Sequence, residues 1–240
     1  MQTDGNRMYQ LLARTLLTAL LLSTAMVSHA QQSNNNFYRA EFVILERIVD
    51  PGAVNERMFN RKVEPPVDTS KDLYRVTGDG NVISSFKLAS PNQLHLGSAA
   101  NRLERSGRYR VLMSAGWYES FPPNYKGQPL RIEIGDWLKQ AGQREVEGYI
   151  TIDRRRYLHV TAHLNHWQEG KVDTTGVIEG DSAGETIDSS TVTELAVNPD
   201  IPPELLTWIR ETRRMRSEEI HFLDSPTIGV LVFFRKIATN

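Results

Sequence analysis

Apolar and polar residues alternate most cleanly over 157–167, where Leu158, Val160, Ala162 and Leu164 face one way and Tyr157, His159, Thr161, His163 and Asn165 the other. A period of two is the mark of a half-buried strand in an antiparallel sheet. Together with 146–152 the segment predicts a hairpin around Asp153, Arg154 and Arg155. Tyr109, Val111, Met113, Ala115 and Trp117 alternate in the same way with Arg108, Arg110, Leu112, Ser114 and Gly116, which predicts another half-buried strand. Residues 37–48 read as a mostly buried strand stopped by Asp50, Pro51 and Gly52, and 130–134 as a short one. The nearly unbroken apolar run at 228–234 is expected of a strand covered on both faces. Before it, 213–223 reads as a charged strand, and Asp224, Ser225 and Pro226 turn the chain between the two arms.

The period changes at Leu96, Ala99, Ala100 and Leu103, which lie on one helical face and predict a helix over 96–106 capped by Gly107. Pro202 and Pro203 suggest a second, short helix running through Ile209. Residues 55–94 are irregular, apart from a weak strand at 82–88. The resulting fold class is α+β: an antiparallel β-sheet with one or two packed helices and a long acidic loop.

That loop follows from charge. Between Gln168 and Asp200 stand eight carboxylates and one cation, Lys171, among Gly, Ser and Thr, so 168–200 reads as a mobile acidic insertion that cannot bury enough apolar surface to order itself. At the other end, Arg7 and Arg14 precede a short apolar stretch at 15–27 and the small-x-small sequence Ser28, His29, Ala30. This is the layout of a cleaved signal peptide over 1–30, which leaves 31–240 as a single exported α+β domain. The sequence contains no cysteine, so disulfides, thiolate catalysis and thiolate metal ligation are excluded. A formal net charge of −1 gives no general attraction to nucleic acid.

Catalytic patterns are missing. There is no Gly-x-Ser-x-Gly elbow and no Ser-x-x-Lys motif, and Glu218 and Glu219, being adjacent, would face opposite sides of a strand. His159 and His163 would stand about 13 Å apart on a strand at roughly 3.3 Å per residue, with His166 on the other face, so the three do not form a metal set. No cofactor is expected. What remains is arginine beside aromatic rings: Arg213, Arg214 and Arg216 in one run, Arg154, Arg155 and Arg156 at the hairpin tip, and Tyr157 and Trp167 on the strand after it. Guanidinium forks bind carboxylates in a bidentate manner and aromatic rings stack on flat apolar surfaces, so these eight are the candidate ligand-binding residues.

The run at 213–229 holds an arginine pair, a Met-Arg-Ser step, an acidic-Ile-His-aromatic-Leu-Asp stretch and a Pro-x-x-Gly turn. With the strand at 109–117 and the secretion signal, it resembles the CsiV family of periplasmic peptidoglycan-binding proteins. The resemblance implies a non-catalytic protein that binds peptidoglycan and supports cell-wall synthesis, switching on a wall synthase through its outer-membrane lipoprotein activator. It brings no site residues with it. Two other classes stay open: a periplasmic adaptor that ignores glycan, and a wall-modifying enzyme.

Overall fold

The computed structural model describes residues 36–49, 58, 61–63, 67–170 and 202–238. The strands are β1 (Phe37–Arg47), β2 (Lys71–Val76), β3 (Val82–Ile83), β4 (Tyr109–Ser120), β5 (Leu130–Leu138), β6 (Gln143–Arg154), β7 (Leu158–Gln168), β8 (Glu204–Met215), β9 (Ile220–Asp224) and β10 (Ile228–Lys236). Among the described residues there is one α-helix, α1 (Gly97–Arg105). The strands form two sheets where the sequence suggested one: a four-stranded sheet in the order β4-β1-β10-β9, and a six-stranded sheet in the order β3-β2-β5-β6-β7-β8. Pairing is antiparallel except between β2 and β5, which run parallel. The predicted signal peptide, and the acidic insertion from 171 onward, lie outside the described residues.

The sheets pack face to face. From the four-stranded sheet Ala40, Phe42, Ile44, Trp117, Val230 and Phe234 enter a common core with Ile132, Val146, Ile150, Val160, Ala162 and Leu164 of the six-stranded one. Phe42 stacks on Trp117 at 5.6 Å and meets Phe234 edge-on at 6.1 Å. Burying each such ring stabilises by roughly 1.5–3 kcal/mol, which explains why the inner parity of β1, β4 and β10 is so strictly apolar.

The outer parity of β10 and of the second half of β1 is largely apolar for a second reason, because α1 covers it. Val43, Leu45, Leu231 and Phe233 bury against Leu96 and Ala100, with Leu103 at the margin. Gly107 at φ +70° turns the chain out of α1 into β4. Glu41, fully buried on this face, accepts a hydrogen bond from the Leu96 backbone N–H at 2.9 Å and is paired with Arg39 at 2.6 Å. A carboxylate at the helix start is matched to the free N–H groups there. No helix covers the six-stranded sheet among the described residues; its outer face carries polar side chains, with Val63, Val67 and Thr69 beside them.

Two expectations fail. Residues 203–209 are not helical: Glu204–Met215 is one strand, and Leu205, Leu206 and Thr207 are buried in it as edge strand β8. Nor is 213–223 one strand. β8 ends at Met215 in the six-stranded sheet, the chain turns through Glu218 at φ +63°, and β9 starts at Ile220 in the other sheet. The hairpin into the apolar arm is therefore β9–β10, with Gly229 opposite Asp224. Glu218, which shares no strand face with Arg214 or Arg216, is tied instead to Arg235 at 3.4 Å and to the Lys236 N–H at 3.1 Å.

Candidate functional site

β6 and β7 meet in a tight tip at 155–157, and in the register of the sheet Leu158 at that tip lies opposite Met215 at the end of β8. Two arginine runs some sixty residues apart are thereby brought to one corner. The ring of Tyr157, exposed, has the Arg214 guanidinium over it at 4.9 Å and that of Arg156 at 5.6 Å. Arg155, Arg156, Arg214 and Arg216 are all exposed there. Beside them opens a cleft of about 240 Å³ lined by Tyr38, Arg154, Arg156, Tyr157, Met215 and Arg216. Cations stacked on an exposed aromatic ring hold their forks in place, so less side-chain freedom is lost when an anion binds.

The eight sequence candidates do not all belong to this corner. Arg154 donates to the Asn36 side chain at 2.8 Å and to the Phe121 carbonyl, and lies over the Tyr38 ring, so it fastens the hairpin tip to the start of β1. Arg213 is on the opposite parity from Arg214. It pairs with Glu211 at 2.8 Å and donates to the Phe222 carbonyl at 2.6 Å, tying β8 to β9 across the two sheets. Trp167 sits at the far end of β7, where its indole N–H donates to Glu147 at 3.0 Å.

Between Trp167 and Tyr157 runs the outer face of the six-stranded sheet, and its register sets side chains in rungs. Glu133, Glu147, Asn165 and Trp208 are aligned across β5 to β8, and Arg131, Tyr149, His163 and Arg210 form the next rung. Thr151, Thr161 and Thr212 follow, then Asp153, His159 and Arg214. His159 and His163 are thus on the outer face and His166 on the inner. Around the first two rungs lies a groove of about 390 Å³. Tyr149 stacks on His163 at 4.9 Å and shares a 3.0 Å hydrogen bond with its Nδ1, while Arg210 donates to Asn165 Oδ1 at 2.6 Å and lies over the Trp208 ring at 4.9 Å. Sequence reasoning missed Arg131, Tyr149, Trp208 and Arg210. The alternation of Trp208, Arg210, Thr212 and Arg214 was the available signal, hidden by the helical reading of 203–209.

The family model described as "Peptidoglycan-binding protein, CsiV" matches residues 13–237, nearly the whole chain. The chain belongs to the CsiV family. No curated protein matches it. Among solved structures, the secretin-domain β-barrel of InvG from the Salmonella SPI-1 injectisome aligns with 92% of this chain and 68% of its own, at 11% identity and a TM-score of 0.23, a likeness too slight to bear on the fold. No helix among the described residues is long and apolar enough to cross a membrane.

This CsiV-family chain also holds a buried charged cluster at one end of the sheet interface. Glu46, Glu145 and His166 bring potential ligand atoms within 4.8 Å of one another. The Arg110 guanidinium already supplies positive charge there, bonded to Glu46 at 2.6 Å, Asp136 at 2.8 Å and Glu145 at 2.5 Å. His166 is buried and shares a 2.7 Å hydrogen bond with Thr227. Burial, then the nearby Arg110 charge, hold its imidazole down at about 4, and burial pushes the Glu145 carboxyl up against the pull of Arg110.

The histidine gives a pH dependence. The unfolded chain protonates His166 near 6.5 and the folded one only near 4. The unfolded state therefore binds more protons in that window, and stability falls as pH drops through it, by about 2 kcal/mol between about pH 7 and about pH 5. Glu145 opposes this, since a raised carboxyl favours the folded state at low pH and loses that contribution as pH rises through its folded value. Urea midpoints measured across this range should fall towards acid in the wild type and change less in His166→Gln, which keeps a partner for Thr227.

Proposed function

We propose that this protein is an exported, non-catalytic peptidoglycan-binding protein whose basic corner holds the carboxylates of the stem peptides. The observation that carries this reading is the stacking of Arg156 and Arg214 on the exposed ring of Tyr157, with Arg216 lining the same cleft and exposed Arg155 next along the hairpin tip. Peptidoglycan presents carboxylates at intervals along a polymer, and a cluster of held guanidinium forks suits repeated carboxylate contacts. Membership of a family described as peptidoglycan-binding supports the ligand class.

Hydrolysis gains no support from Glu218 and Glu219. Glu218 and Glu219 are exposed and engaged with Arg235 and Arg216, which offers neither the facing pair nor the apolar setting that an acid catalyst needs. In this reading residues 1–30 direct export to the periplasm, 31–240 act as one domain, and the bound protein supports wall synthesis by activating a synthase through its lipoprotein activator. The last step draws its support from the family resemblance.

Co-sedimentation with purified sacculi tests the corner. Wild type should pellet, and the quadruple variant R155A/R156A/R214A/R216A should pellet only at higher sacculus concentration, with affinity down by at least about tenfold, since charge-assisted bonds contribute roughly 1.5–3 kcal/mol each. Raised salt should weaken wild-type binding. Wild type that stays in the supernatant refutes the function, whereas a quadruple variant that pellets normally refutes the site.

A further inference from the structure

We infer that the groove on the outer face of the six-stranded sheet, bounded by Val63, Val67 and Thr69, takes the glycan strand of peptidoglycan, separately from the stem-peptide carboxylates at the corner. This rests on the proposed function and adds a second contact with a different chemistry. The difference lies first in charge. The corner has an excess of cations, Arg155, Arg156, Arg214 and Arg216 against Glu219, whereas the groove sets Arg131 and Arg210 against Glu133 and Glu147, for a formal sum of zero. An amino-sugar backbone is neutral and offers hydroxyls, acetamides and flat C–H faces. A floor that alternates donors and acceptors around an aromatic ring matches it, and repels neither sign.

Pre-organisation is the second ground. Tyr149 is held by His163, Asn165 by Arg210, and Glu147 by the Trp167 indole, so the polar lining is fixed before a ligand arrives and little side-chain freedom is left to lose. The volume, about 390 Å³, falls within the ~300–1,000 Å³ of small-ligand sites. The third ground is continuity. Arg210 in the groove and Arg214 at the corner are four residues apart on one face of β8, about 13 Å at roughly 3.3 Å per residue. A polymer lying along this face reaches both, with sugar rings in the groove and a pendant peptide at the arginines.

The experiment separates the two contacts. Glycan strands stripped of stem peptides by an amidase and then amidated at the lactyl carboxylates this exposes, and chitotetraose as a soluble probe, report on the groove, while free stem peptide reports on the corner. Wild type should bind all three. Tyr149→Ala should lose about tenfold on stripped glycan and keep stem-peptide binding, as loss of a stacking ring contributes roughly 1 kcal/mol or more. The corner variant R155A/R156A/R214A/R216A should show the reverse. Should Tyr149→Ala prove unfolded by its thermal melt, the wild-type indole NMR signals of Trp208 and Trp167 decide instead, and chitotetraose should shift them. If wild type binds intact sacculi yet ignores stripped glycan and chitotetraose, or if Tyr149→Ala binds stripped glycan as wild type does, the groove assignment is overturned and the corner stands. If intact sacculi are not bound at all, both fall.

Discussion

Replacing Gly148 with alanine should destabilise the protein by about 3–5 kcal/mol, a severe effect for so small a change in the six-stranded sheet. Gly148 lies in β6 opposite Leu164 at φ +142°, a conformation essentially confined to glycine. A Cβ built there would lie 2.0 Å from the His163 carbonyl oxygen and 3.0 Å from the Leu164 Cα, both of them backbone that cannot swing aside. The strain of the torsion and the overlap add, because relieving one by rotating β6 pulls it off β7. Gly107→Ala is the control. It also has positive φ, at +70°, but its Cβ would meet open space, so only about 1 kcal/mol is expected. Chemical denaturation should show the difference, and hydrogen exchange should find the loss of protection centred on β6 and β7. Because Gly148 lies between Glu147 and Tyr149, any surviving Gly148→Ala protein should also bind glycan poorly.

The elements legible in the sequence were those whose environment is uniform along their length. β7 has core on one side and solvent on the other for most of its run, so Leu158 to Leu164 alternate without error, and α1 lies flat on a sheet, so its apolar stripe keeps helical spacing. β8 was misread because its surroundings change part-way. Leu205, Leu206 and Thr207 are all buried beside the register shift at His166 and Trp167, whereas Thr212 to Arg214 are exposed, so no single period survives. β2 was missed because its pairing is parallel, with β5 some sixty residues away, and only Leu73 is fully buried in it. The residue types of the corner were visible, but not the convergence of its two arginine runs, which needs the β7–β8 register. The groove is harder still to see, since each rung takes one residue from each of four strands and leaves no local pattern. Arg110 looked like any polar residue on the outer parity of β4.

Its actual surroundings make Arg110→Ala the other severe change, with an expected loss of about 2–4 kcal/mol. The guanidinium binds Glu46, Asp136 and Glu145 through three different nitrogens, and Glu145, with a side chain only 8% exposed, sits next to buried His166. Breaking a buried pair by removing one partner typically costs about 3–5 kcal/mol, because the other charge stays behind in a poor solvent. Arg110 itself is 36% exposed and Asp136 72%, so water screens part of the effect and lowers the figure. Loss of the cation should raise the Glu145 carboxyl further. A raised carboxyl favours the folded state below its folded value and opposes folding above it, so the Arg110→Ala defect should be larger at about pH 7 than at about pH 5. The double-mutant cycle with Glu145→Gln isolates the pair: if charge left behind is the cause, Arg110→Ala should cost about 1–2 kcal/mol less in the Gln background. Equal losses in both backgrounds would instead assign the role of Arg110 to its alkyl stem, packed along β4 rather than neutralising the cluster.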